Sequence, residues 1–346
     1  MRVGLIAPPW VPVPPPAYGG TEAVVDNLAR GLAALGHDVR LFTVGESTSP
    51  VPRSHLYPAA VRPMGDSLLE AAHVLAAYRE LRDADVIHDH TVLGALIGRH
   101  VGGLPPIVVT HHGPYTPEAQ RVFAEIARRA RVVAISRSQA RQARGVRIDD
   151  VILHGVDLVA HRPGPGDGGY AVFMGRMSPD KGVHRAVEIA RRAGLPLRIV
   201  TKMWRPDERD YFERAVRPLL RPGDPRPGEE PPRRRVELLR HAVALLNPIC
   251  WPEPFGLVMA EALACGTPVV GTPCGAAPEI VDHGLTGYLD DDDDALAGAL
   301  RRVGGIDRRA CRDAAERRFS ADRMVADHLR LYGRAAGLVG TGERAA

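Results

Sequence analysis

The chain has 346 residues, 45% of them hydrophobic, which is long for one ordinary domain and enough for two domains with a core each. The formal net charge of +4 is small beside 45 basic and 41 acidic residues, so nothing argues for nucleic acid, and runs such as Arg233-Arg234-Arg235 read as solvated faces. The four cysteines form no C-x-x-C pair, so no zinc or redox motif is suggested, and no apolar stretch approaches the ~18 residues of a membrane helix.

The start, Met1 to Pro8, carries one basic residue and a very short apolar run. It reads as a buried strand rather than a signal peptide, so a cytoplasmic location is expected, with peripheral membrane contact left open. After the strand Val3 to Ala7, the stretch Thr21 to Leu35 places Ala23, Val24, Leu28, Leu32 and Leu35 at helical spacing, and Gly36 ends it. Further strands are expected at Val39 to Val44, Val86 to His88, Ile107 to Thr110 and Val132 to Ile135, with helices near Ser67 to Leu81 and Pro117 to Arg129. Steady alternation of strand and helix implies a parallel sheet covered on both faces.

The pattern restarts after a Pro/Gly-rich stretch at residues 163–169, the best linker in the chain. Strands are expected at Tyr170 to Met174, Leu197 to Thr201, Ala242 to Asn247 and Pro268 to Gly271. Helices are expected at Val183 to Ala193, Asp207 to Leu219, Leu257 to Ala264 and Ala276 to His283. The fold class is therefore α/β, with two doubly wound, Rossmann-like domains (residues 1–165 and 166–320) facing each other across a cleft. Residues 321–346 add a last helix, expected to cross back to the first domain, and a tail. In such sheets ligands bind beyond the carboxyl ends of the strands.

The strongest local signal runs from Trp251 through Pro252-Glu253-Pro254-Phe255-Gly256-Leu257-Val258 to Glu261 and on to Val270. Two carboxylates stand eight positions apart, and the loop between them opens a helix whose free N–H groups suit an anion. On spacing alone, Glu253 reads equally as a charge at a helix start and Glu261 as a solvated helix residue. The second signal is Phe173-Met174-Gly175-Arg176-Met177-Ser178-Pro179-Asp180-Lys181-Gly182, where two cations leave a strand end and suit a diphosphate. The third is Ala17-Tyr18-Gly19-Gly20-Thr21-Glu22, where paired glycines allow close backbone approach to a ligand. It is not a G-x-G-x-x-G fingerprint, so no dinucleotide is implied. Three histidine clusters, His88-Asp89-His90, His111-His112-Gly113 and His154-Gly155, follow strand ends, in spacings that match no usual metal motif.

The Glu253–Val270 segment resembles the E-x7-E region of family 4 retaining glycosyltransferases of the GT-B fold, and Pro278-Glu279 and Gly284 to Leu289 continue the match. The resemblance implies that Glu253 contacts the donor sugar, that Glu261 holds the ribose, and that backbone amides of Phe255, Gly256, Leu257 and Val258 bind sugar and phosphate oxygens. Arg176 and Lys181 match the family's GRxxxxKG motif and would bind the diphosphate, and Gly19 and Gly20 match its N-terminal glycine loop. His112 aligns with the histidine of the T-x-H-G segment near the reacting sugar, with His111 a weaker choice. His90 would shape the acceptor side, and Ser136 is a further candidate. Implied is transfer of a sugar from a nucleoside diphosphate, UDP or GDP, to a small-molecule, glycan or lipid-linked hydroxyl acceptor. Retention, no cofactor and no metal are expected. A sugar-nucleotide epimerase of the same fold and an inactive nucleotide-sugar-binding protein are the alternatives. One departure is Arg221 to Pro232, where Pro222, Pro225 and Pro227 make the family's usual strand doubtful and put base contacts near residues 228–230 in question. Another is Lys202, which is either an extra phosphate ligand or a solvated lysine.

Overall fold

The structure is a computed structural model and describes residues 1–17, 19–98 and 100–338. Tyr18 of the glycine loop and the expected tail, residues 339–346, lie outside the described residues. The chain forms two compact units: residues 1–155 with the last helix, and residues 156–320.

Unit 1 runs β1 (Arg2–Ile6), α1 (Gly20–Ala34), β2 (Asp38–Thr43), β3 (Arg53–His55), α2 (Ser67–Glu80), β4 (Val86–Asp89) and α3 (Gly94–Gly98). It continues with β5 (Ile107–Thr110), α4 (Pro117–Ile126), β6 (Arg131–Ala134), α5 (Arg137–Gln142) and β7 (Asp150–Val151). The strands pair in parallel in the order β3-β2-β1-β4-β5-β6-β7. Valine and isoleucine dominate β4 to β6 because a parallel strand is buried on both faces. One face of the sheet packs Ile6, Phe42, Val74, Tyr78 and Leu81 together, and another cluster joins Val109, Tyr115, Phe123 and Val132. The order of the strands reverses between β1 and β4, so the loops after these two strands flank the switch point where such sheets bind ligands.

Unit 2 runs β8 (Ala171–Arg176), α6 (Val183–Ala193), β9 (Leu197–Lys202), α7 (Pro206–Tyr211), α8 (Pro232–His241) and β10 (Ala244–Asn247). Then come α9 (Leu257–Ala264), β11 (Val269–Gly271), α10 (Ala277–Ile280), β12 (Gly287–Leu289), α11 (Asp293–Arg302) and α12 (Arg308–Arg318). Its parallel order is β12-β11-β10-β8-β9, so the switch point lies between β8 and β10. The final helix, α13 (Ala321–Ala335), groups with unit 1. It lies so close to α1 that a Cβ on Gly31 would stand 2.5 Å from Val325 Cγ2.

Three expectations are corrected. The two compact units meet in the chain at Gly155/Val156. The stretch 163–169 is not a free linker: Gly164 N–H donates to Cys265 O at 3.0 Å, Gly166 N–H to Arg240 O at 3.0 Å and Gly168 N–H to His241 O at 2.8 Å. The helix expected over Asp207 to Leu219 is regular only to Tyr211, then widens into a π turn and ends as a 3-10 turn. Pro218 supplies no N–H, so it cannot make the bond that would continue a regular α-helix through this turn. The helix expected over Ala276 to His283 stops at Ile280, because Asp282 and Thr286 bond each other in a turn, through Asp282 N–H to Thr286 Oγ1 (2.9 Å) and Thr286 N–H to Asp282 O (2.9 Å).

The proline-rich stretch makes no regular strand. It touches the sheet edge at one bridge, Val200 to Gly228, where Thr201 N–H donates to Gly228 O at 2.9 Å. Prolines cannot continue such a ladder.

Candidate active site

The two loops at the unit 2 switch point are built from the motifs that the sequence singles out. Beyond β8, Pro179 and Asp180 enter a single 3-10 turn that ends at Lys181. Gly182 then adopts φ 68°, and a Cβ there would stand 2.1 Å from Pro248 O, so only glycine lets this loop lie against the loop leaving β10. Cys250 N–H donates to Asp180 O at 2.8 Å and ties the two loops together.

On the β10 side, Glu253 is gripped through its backbone. Its carbonyl accepts Ala276 N–H at 2.9 Å, and Gly275, at φ 62°, passes so close that a Cβ would lie 2.3 Å from both Glu253 N and O. The Glu253 carboxylate pairs with the Lys181 ammonium and accepts the Trp251 indole N–H at 3.0 Å. Lys181 Nζ also sits 5.1 Å from the centroid of the Trp251 ring. Arg176 is held in the same manner, donating from Nη2 to Asp180 Oδ2 at 2.9 Å. Each cation of the proposed diphosphate pair thus has a carboxylate partner, and both partners sit at the carboxyl ends of the switch-point strands.

Helix α9 starts at Leu257, after Gly256 at φ 89°, and no side chain caps it. The backbone N–H groups of Leu257 and Val258 therefore open its first turn. Phe255 is a core residue, 2% exposed, whose ring packs edge-on against Phe319, so any ligand role belongs to its backbone. Glu261 lies one turn further into α9, buried, with Oε2 at 3.3 Å from Arg235 Nη2. The Arg233-Arg234-Arg235 run is therefore not wholly a solvated face: Arg235 on α8 turns inward to this carboxylate. Lys202 is buried too, its ammonium 4.0 Å from the centroid of the Trp204 ring, which corrects the reading of a solvated lysine.

In unit 1, Gly19 caps α1 in extended backbone, and a Cβ there would meet Pro15 Cβ at 2.6 Å. Gly20 has open space where a side chain would go. Beyond β4 and β5 the histidines separate by face. His111 turns into the core against Tyr115 and Phe123 and bonds Pro114 O at 3.1 Å. His112 turns the other way: its Nε2 is 2.9 Å from His90 Nδ1 and its Nδ1 is 3.3 Å from His154 Nε2. Burial lowers the pKa of His112 to about 3 and of His111 to about 4, and holds His90 and His154 well below the ordinary value, so this chain is neutral. Ser136 is spent as the N-cap of α5, accepting Gln139 N–H at 2.9 Å.

Sequence reasoning missed Asp180, Trp251, Arg235 and Gln139 as parts of the site. Gln139, fully buried, donates to His111 O at 2.9 Å and Gly113 O at 2.7 Å, clamping the peptide on both sides of His112. Asp180 and Trp251 stand inside the quoted motifs, four residues after Arg176 and two before Glu253; nothing in the sequence marks Gln139 or Arg235. The acidic run Asp290 to Asp294 is a helix start: Asp292 caps α11, while Asp293 and Asp294 pair with Arg185 and Arg192. Among the described residues, no cluster of three or more His, Cys, Asp or Glu is placed to hold a metal ion, and no helix is long and apolar enough to cross a membrane.

Residues 18–159 match the model of Glycosyltransferase Family 4, and residues 168–304 match that of Glycosyl transferases group 1. A D-inositol 3-phosphate glycosyltransferase of Acidothermus cellulolyticus is 30% identical over 87% of this chain and 82% of its own length. AviGT4, a glycosyltransferase involved in avilamycin A biosynthesis, superposes with a TM-score of 0.74 at 28% identity, covering 98% of this chain and 99% of that one. The Anabaena protein Alr3699/HepE, solved in complex with UDP and glucose, superposes with a TM-score of 0.76 at 20% identity, over 96% of this chain and 99% of that one. With two parallel doubly wound sheets and both family models matched along its length, the chain belongs to the glycosyl transferases group 1 family and is a glycosyltransferase of the GT-B fold.

Proposed function

We propose that the protein moves a sugar from a nucleoside-diphosphate sugar, UDP- or GDP-linked, to a hydroxyl acceptor, with retention and without a metal ion. The observation that supports this reading most is the paired state of the two cations. Arg176 and Lys181 already face carboxylates, Asp180 and Glu253, in the geometry that phosphate oxygens would adopt. A diphosphate arriving at this loop exchanges for the carboxylates. Lys181 turns to the phosphate, and Glu253, still held by the Trp251 indole, is released toward the donor sugar.

In this mechanism the bond from the anomeric carbon to the diphosphate breaks as the acceptor oxygen bonds to the same face of that carbon. The acceptor proton passes to the departing phosphate oxygen. Arg176, Lys181 and the N-terminus of α9, with the backbone amides of Phe255, Gly256, Leu257 and Val258, stabilise the charge that grows on the leaving group. Gly19 and Gly20 allow backbone to approach the donor, and His112 lies by the reacting sugar. Glu261 holds the ribose hydroxyls.

Glu261→Ala is expected to weaken binding of the free nucleoside diphosphate by about 1.5–3 kcal/mol, the loss of charge-assisted hydrogen bonds from two hydroxyls. The variant also breaks the ion pair with Arg235, so Arg235→Ala serves as the control for that loss. Calorimetric titration with UDP and GDP measures both, and unchanged affinity in Glu261→Ala would remove this residue from the nucleotide site.

Turnover is expected to persist in excess EDTA, because two cations and a helix end do the work of a divalent ion here. Neutralising Asp290 to Asp294 should leave turnover nearly intact, since these side chains start α11. Loss of activity in EDTA with recovery on adding Mg²⁺ or Mn²⁺ would overturn the metal-free mechanism.

A further inference from the structure

His154 leaves the end of β7 in a position that no motif singles out for chemistry, yet its Nε2 lies 3.3 Å from His112 Nδ1. His112 is thereby held at both ring nitrogens, with His90 Nδ1 at 2.9 Å from Nε2. The rings of His112 and His154 are stacked at 21° with centroids 5.1 Å apart, and those of His90 and His112 are tilted at 36° with centroids 5.2 Å apart. The backbone around the end of β7 is fixed as well, because Arg323 of α13 donates to Leu153 O at 2.6 Å and to His154 O at 3.4 Å.

A neutral imidazole offers one donor and one acceptor, so three neutral rings in a row can carry their protons in only two registers. In one, His90 Nδ1–H donates to His112 Nε2, and His112 Nδ1–H donates to His154 Nε2. In the other, every proton is reversed, and His90 must carry its proton on Nε2. That nitrogen is buried and has no hydrogen-bond partner among the described residues. A buried N–H without an acceptor is the costlier orphan, so the first register is favoured.

We propose that His154 is a positioning residue for His112: by accepting from Nδ1 it fixes His112 as the Nδ1–H tautomer, so that Nε2 is always the acceptor nitrogen. The role of His112 at the reacting sugar rests on the proposed function; the tautomer does not. With Nε2 kept free of its own proton, His112 receives a hydrogen bond from a donor-sugar hydroxyl in place of the one from His90. Gln139 fixes the peptide, and His154 fixes the ring.

The test uses the full chain labelled with ¹⁵N-histidine, with no substrate present. The expected result is a pyrrole-type signal at His112 Nδ1 and a pyridine-type signal at Nε2. His154→Leu, which keeps bulk and removes the acceptor, should give a mixture of His112 tautomers. Its kcat should fall roughly 10–100-fold, the range for removing a group that orients a histidine through its second nitrogen, with little change in donor KM. His154→Gln, whose amide oxygen reaches about as far as Nε2, should restore the single tautomer and most of the rate. A proton on His112 Nε2 in the parent protein overturns the proposal without any variant. So does an unchanged His112 tautomer in a folded His154→Leu protein, or a changed tautomer with unchanged kcat. If instead the parent protein transfers sugar from no donor, the proposed function fails while the tautomer result stands by itself.

Discussion

Replacing Arg176 or Lys181 by alanine is expected to lower turnover by on the order of 10²–10³-fold each, as when one preorganised donor to a developing anion is removed. Donor affinity should change much less, because charge on the diphosphate rises as the glycosidic bond breaks, so the lost interaction is worth most in the transition state. The structure adds an asymmetry between the two. Lys181→Ala leaves the Glu253 carboxylate, with 15% of its side chain exposed, beside the diphosphate and without its cation, though still bonded to the Trp251 indole. Arg176→Ala leaves Asp180, with 32% of its side chain exposed, where water can solvate it. Lys181→Ala should therefore also weaken donor binding, and Glu253→Gln in the Lys181→Ala background should recover part of that affinity. Single-turnover rates with donor titration separate the two effects. Full turnover in the Arg176→Ala/Lys181→Ala double variant would remove both residues from the reaction.

Unit 1 is expected to lose stability steeply as pH falls below about 6.5, the ordinary histidine value. Burial lowers His73, His111 and His328 to about 4 and His112 to about 3, and holds His88, His90 and His154 well below their ordinary value. Above 6.5 these rings are neutral in both the folded and the unfolded chain, and no stability depends on their protonation. Below it the unfolded chain takes up protons that the folded unit refuses, and this continues until the folded pKa is reached near 4. At pH 5 each of the four rings with values of 3 to 4 costs about 2 kcal/mol, together on the order of 8 kcal/mol. That is comparable with the whole stability of a domain. Urea unfolding at pH 7.5, 6 and 5, followed by hydrogen exchange in β1, β4 and β5, measures the loss. Equal protection of these strands at pH 7.5 and 5 would show that the rings are not held neutral.

Much of the site was legible because its chemistry is local in the chain. Arg176 ends β8 and Asp180 and Lys181 lie in the turn that follows it, while Glu253 to Glu261 come from one loop and the helix it opens. The spacing of such residues survives in the sequence. The alternation of apolar runs with amphipathic stretches likewise placed most strands within a residue or two, since a strand buried on both faces has few residue types to choose from. The short elements escaped: β3 and β7 have three and two residues, too few for a period to show. Arg235 escaped for another reason. A run of three arginines carries no sign of which one a helix turns inward, and its partner Glu261 is 26 positions away.

By itself the sequence determined the two doubly wound units, the order of their longer strands and the residues whose charges suit a diphosphate, because hydrophobic period, turn residues and motif spacing are properties of neighbouring positions. Only the tertiary structure decided which carboxylates those charges meet. Parallel strands bring the ends of β8 and β10 together, so Lys181 meets Glu253 across 72 positions. The tertiary structure also decided which of His111 and His112 faces the core. It placed His88 Nδ1 2.6 Å from the hydroxyl of Tyr332, 244 positions on, and built from three strand ends a file of neutral imidazoles. A histidine's proton follows from what lies against its two nitrogens and from the water excluded around it, and both are set by packing between segments that are distant in the chain.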